Sequence, residues 1–167
     1  RMVDAVALAG YLVAGAVAGL VAAVAMDLPM GRQPDGWTPA FVAAAVLSRT
    51  APADVSFGRA SLVHHGAGVA AGALYGLVTF ALTGVVPPIS WAGVSLLAHS
   101  IGVVLVTLFI YGLFAHVVLP RVGGTVYEER STAVRGQWLR SSLVFAATVT
   151  IAGPPLIVLA LGALEAV

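Results

Sequence analysis

Four long apolar runs, separated by two polar stretches and one short uncharged turn, set the pattern of the chain. The first run, Val3 to Met26, is apolar apart from Asp4 and is about as long as the ~20 residues a spanning helix needs. The second runs from Leu62 to Thr83. The third, Trp91 to Leu119, exceeds what a bilayer requires, so it is expected to tilt or protrude. The fourth, Gln137 to Leu164, is interrupted near its middle by Gly153-Pro154-Pro155. These runs predict an all-α, polytopic membrane protein: a four-helix transmembrane bundle with spans at about 3–26, 62–83, 91–119 and 137–164, forming one domain over residues 1–167.

The punctuation between the runs supports the same division. Asp27-Leu28-Pro29 closes the first, because proline biases its predecessor away from helix and charge begins there. In the connection Met30–Ala60, Thr38-Pro39 reads as an N-cap and first helical residue of a short helix through Leu47. That helix is too short to span and is placed at the interface. Gly84 to Ser90, with Pro87-Pro88, is a tight turn that makes the second and third runs antiparallel. Leu119-Pro120-Arg121 stops the third run, and Arg121 to Arg140 forms a second polar connection. A secretory signal competes for the first run, since Ala23 and Ala25 resemble a cleavage site, but the run exceeds the roughly 7–15 residues of such a core. Within the second run, Gly68, Gly72 and Gly76 lie four residues apart on one face. Small residues so spaced let a neighbouring helix approach closely, which is how helices associate in lipid.

Composition agrees with this picture and narrows the partners. Of 167 residues, 60% are hydrophobic and 9% charged, with a mean hydropathy of +1.02, against about 25% charged in soluble domains. A net charge of +1 argues against nucleic acid and leaves lipid, other membrane subunits or self-association as partners. With no cysteine there are no disulfides, thiolate metal sites or cysteine nucleophiles. Arginines 32, 49, 59, 121, 130, 135 and 140 fall on the side of the two polar connections, against Arg1 on the other. The positive-inside rule then places a multi-pass protein in the cell membrane with its loops in the cytoplasm and both termini outside.

That topology gathers the polar side chains. Asp27 ends the first span, His64 and His65 open the second and His116 lies near the end of the third, so a carboxylate and three imidazoles converge at the cytoplasmic mouth. Three readings follow. The groups can simply cap helix ends and bond to each other in headgroup-level water; they can form a proton or ion relay; or the imidazoles can ligate haem or a metal. Counting ~1.5 Å per residue from the Pro87-Pro88 turn, His116 falls on the order of 9 Å beyond His64 along the membrane normal, which disfavours a bis-histidine haem. No two imidazoles have the i, i+4 spacing of helical zinc sites, so no cofactor is expected, with haem or metal at His64, His65 and His116 the alternative.

The same count puts His99 level with Tyr75, and predicts a buried imidazole–phenol hydrogen bond, with Tyr111 the other possible partner. Gly153-Pro154-Pro155 removes two backbone donors and frees carbonyls near Thr150 and Ile151, as in the broken helices of transporters, although a packed kink is the commoner outcome. No phosphate loop, nucleophile triad or intramembrane carboxylate pair is present, so an enzyme is not expected. Ala-Met-Asp-Leu-Pro at 25–29, His-His-Gly-Ala-Gly at 64–68 and Leu-Tyr-Gly at 74–76 resemble small four-helix membrane proteins of the YagU-like kind, a resemblance that covers the first half of the chain and implies no activity. The expectation is a non-catalytic accessory or scaffold subunit of a larger membrane complex. A small transporter or proton conductor, and a haem- or metal-binding electron-transfer subunit, are the alternatives.

Overall fold

The structure, a computed structural model, describes residues 2–165; Arg1, the arginine expected at the opposite end of the molecule, lies outside them. Four of its helices are long and apolar enough to cross a membrane. Helix α1 covers Met2–Arg32, α2 Thr38–Ser48, α3 Phe57–Thr83, α4 Leu96–Leu113, α5 Leu119–Val122 and α6 Gly124–Glu165. Two two-residue strands, β1 (Ser90–Trp91) and β2 (Val94–Ser95), pair antiparallel between α3 and α4. In the bundle α1 packs along α3 and α6, and α4 closes the ring against the same two helices.

The seam between α1 and α3 depends on glycine. A Cβ added to Gly72 would run into the Gly15 carbonyl and come within 2.6 Å of the Gly19 Cα, and one on Gly19 would strike the Gly68 carbonyl. Gly76 approaches the Tyr11 carbonyl in the same way. Pairings 11 with 76, 15 with 72 and 19 with 68 are those of antiparallel helices whose backbones touch, the close approach that small residues permit.

Five boundaries differ from the expectation. Helix α1 continues through Pro29 to Arg32, and the Gln33 side chain donates to the Pro29 carbonyl at 2.9 Å, satisfying one of the acceptors a helix end leaves open. Helix α2 begins at Thr38, so Trp37 and not Thr38 is its N-cap, without a side-chain bond. Its far end closes on Arg49 in the left-handed region (φ 56°), and Thr50 N–H reaches back to the Ala45 carbonyl at 3.1 Å. Helix α3 starts at Phe57, five residues early, because Ser56 Oγ accepts from Arg59 N–H at 3.4 Å as an N-cap.

At Trp91 the chain forms a hairpin, with Ala92 and Gly93 at φ 47° and 85° as its primed-type turn, and Ser95 caps α4. Last, the polar stretch 121–140 is no loop. Gly124 (φ 65°) reverses the chain after α5 and α6 starts at once, non-helical only at Arg130 (φ −128°, ψ 23°). Its buried positions Tyr127, Val134, Trp138, Phe145 and Val149 follow helical spacing through both the polar and the apolar halves.

The expected break at Gly153-Pro154-Pro155 is absent: α6 keeps helical dihedrals there. Each proline removes one intrahelical bond, which neighbouring helices can make tolerable. The break in regularity lies in the third span instead. Leu119 N–H bonds to the Phe114 carbonyl five residues back, making Phe114–Val118 a π-turn, and Pro120 has no amide to offer. The Ala115 carbonyl so released accepts from Tyr127 Oη at 3.3 Å.

Candidate functional site

The polar side chains of the bundle divide into two centres, both served by α3. At the loop end, Asp27 on the last turns of α1 lies between two adjacent imidazoles. Asp27 Oδ2 is 3.1 Å from His65 Nε2, and Asp27 Oδ1 is 3.4 Å from His64 Nε2. Consecutive helical residues point about 100° apart, so His64 and His65 can meet one carboxylate only because α1 crosses α3 in the angle between them. His64 is buried and donates through Nε2 to the Ala23 carbonyl at 3.1 Å. His65 is partly exposed and donates through Nδ1 to the Ser61 carbonyl one turn earlier at 2.8 Å. Trp37, from the connection after α1, meets the His64 ring edge-on at 5.5 Å and packs on Phe57.

His116 does not join this group. It sits on the exposed side of the π-turn, where Ala115 and Leu119 take the inward positions, and its ring packs edge-on against Tyr111 at 5.8 Å. The π-turn and the inward face of Ala115 set its direction.

The second centre lies mid-bundle. Tyr75 Oη and His99 Nδ1 are 2.7 Å apart, both side chains buried, so α3 and α4 are bonded at the level where the count places them. Tyr111 is occupied with His116 and takes no part. Gly153 of α6 faces this pair, where a Cβ would come within 3.1 Å of the Tyr75 ring. The Thr150 carbonyl, deprived of its partner by Pro154, lies on the His99 side. His99 Nε2 is buried, and this freed carbonyl is the acceptor on its side. Thus Gly153 and Pro154 shape the recess for Tyr75 and His99, while Gly68, Gly72 and Gly76 hold α1 against the adjoining face of α3.

No counterpart of this chain is found among known protein families, curated proteins or solved structures.

Three further contributors escape the sequence. Asp35 is buried and accepts from Arg130 Nη1 at 3.0 Å; Gln137 donates to Asp35 Oδ2 at 3.3 Å and accepts from the Asp35 amide at 2.9 Å. This three-point clamp ties the connection after α1 to α6 and so fixes Trp37 above His64. Between its neighbours Pro34 and Gly36, Asp35 reads as an ordinary turn residue; the only hint of a partner is that Gln137 shares the face of Val134 and Trp138.

Proposed function

We propose that the chain is a multi-pass protein of the cell membrane, its loop end in the cytoplasm and its termini outside, working as a non-catalytic accessory subunit beside larger membrane partners. The observation that carries this reading is the outward face of the bundle. Among the described residues, at most 39% of the most apolar stretch of any of the four long helices is buried, and Leu62, Leu108 and Ile151 are 73%, 63% and 77% exposed. Apolar surface on that scale needs lipid or another membrane protein against it.

The interior speaks for packing over conduction. Below His64 lies a small cavity of about 70 Å³, lined by Ala67, Gly68, Ala71, Ile110 and Phe145 among others, so apolar side chains separate the loop-end centre from Tyr75 and His99. A proton relay needs a chain of exchangeable groups, and among the described side chains lining this gap only His64 and the Trp138 indole carry one. Gentle extraction from native membranes with identification of the accompanying chains tests the proposal. A reproducible larger partner is the expected result; a stable lone monomer in mild detergent contradicts it.

A further inference from the structure

The contacts of His65 Nδ1 bear on more than the orientation of a ring. Nδ1 lies 2.8 Å from the Ser61 carbonyl and 3.4 Å from the Ser61 hydroxyl; the nearer partner can only accept, which assigns the proton to Nδ1 and leaves Nε2 of the neutral imidazole a bare lone pair. That lone pair faces Asp27 Oδ2 at 3.1 Å, acceptor against acceptor. A cation between them resolves the contact: either a proton on Nε2 or a metal ion.

We propose that Asp27, His64 and His65 bind one divalent transition-metal ion at the loop end of the bundle. This goes beyond the accessory reading and does not depend on it. One ligand atom from each of the three residues lies within 4.8 Å of the others. Metal–nitrogen and metal–oxygen bonds of about 2.0–2.2 Å at tetrahedral angles set neighbouring ligands about 3.4 Å apart. His64 Nε2 and Asp27 Oδ1 are separated by 3.4 Å, too long for a good charge-assisted hydrogen bond. Asp27 Oδ1 is shielded from solvent and has no hydrogen-bond partner.

The surroundings of His65 are those of a ligating imidazole. A metal-bound histidine commonly donates its other ring N–H to a backbone carbonyl, which fixes tautomer and aim, and His65 does so. His64 must move its proton from Nε2 to Nδ1 and exchange the Ala23 carbonyl for the ion; that carbonyl lies within α1 and keeps the helical ladder. The approach is open, since Asp27 and His65 side chains are 35% and 26% exposed. Two imidazoles, one carboxylate and no thiolate select borderline ions such as Zn²⁺, Co²⁺ or Ni²⁺ over soft Cu(I) or hard Ca²⁺. Three protein ligands leave at least one position for water.

The test uses the full chain in detergent micelles, stripped with chelator and titrated with Zn²⁺ calorimetrically and with Co²⁺ by visible absorption. The expected result is one ion per chain, with X-ray absorption of the Zn²⁺ form showing imidazole nitrogens at about 2.0 Å. Asp27→Asn and His65→Gln should each weaken binding about tenfold or more, and His116→Ala should leave it unchanged. No saturable binding to the unaltered chain, or a zinc spectrum without imidazole scattering, overturns the proposal whether or not the variants fold. So does unchanged affinity in folded Asp27→Asn and His65→Gln.

Discussion

Helix α3 carries two polar centres that answer to different rules. Around Tyr75 and His99 the bundle is tight: glycines bring α1 against α3, Gly153 makes room on α6, and one neutral hydrogen bond joins phenol to imidazole. Around His64 and His65, about three turns nearer the loops, a carboxylate is admitted, Asp27 and His65 are partly exposed, and the two imidazole Nε2 atoms lie 3.4 and 3.1 Å from the carboxylate oxygens. Depth explains the contrast. In the middle of an apolar span a polar group must be paired by its neighbours, whereas near the mouth water and ions can complete the set. The same helix can therefore serve as a packing element at one level and as a binding element at another.

Widening the middle should produce the largest effect. Gly72→Val places a side chain into the α1 backbone and is expected to cost about 3 kcal/mol or more, at or beyond the upper end of ordinary overpacking, measured by unfolding in mixed detergent micelles. Gly66→Ala, on an open face of the same helix, should be neutral or stabilise by up to about 1 kcal/mol. Equal losses from both would show that the seam is not what holds the middle shut.

Removing the buried pair comes next. Tyr75→Phe leaves His99 Nδ1 without its partner and should cost about 1–2 kcal/mol in the same assay. Adding His99→Leu should recover part of that loss, since an apolar pair has no unmet hydrogen bond. A double variant as unstable as the sum of its parts would contradict the pairing.

The clamp at the loop end should matter somewhat less. Arg130→Gln removes a half-exposed guanidinium from buried Asp35, so about 1 kcal/mol is expected, with a change in Trp37 fluorescence as the connection loosens. An unaltered emission spectrum would separate the clamp from the position of Trp37. Smallest of all, Asp27→Asn should move stability by less than about 1 kcal/mol, because this carboxylate is partly exposed, while it weakens metal binding about tenfold or more.

How much of this the sequence disclosed follows from what each pattern encodes. Hydropathy located the four apolar runs because burial in a uniform medium needs only length and composition. Residue counting from the Pro87-Pro88 turn put Tyr75 level with His99, since rise per residue is nearly constant. The same count could not say which way His116 points, because azimuth depends on local winding, and the π-turn at Phe114–Val118 has no signature beyond a proline that read as a stop. The charges at 128–135 concealed the first turns of α6, although Tyr127, Val134 and Trp138 already carried its inward face. Asp35 stayed hidden because its partners are about a hundred residues away and only the fold brings them together.

The proposed topology has the bundle crossing the membrane four times with both polar connections at one end. The absence of cysteine lets single cysteines test this directly. A membrane-impermeant maleimide should label Thr50→Cys and Gly136→Cys from the cytoplasmic face of sealed vesicles, Val85→Cys only from the other face, and Ile151→Cys from neither. Labelling of Thr50→Cys and Val85→Cys from the same face, or ready labelling of Ile151→Cys from water, would contradict it.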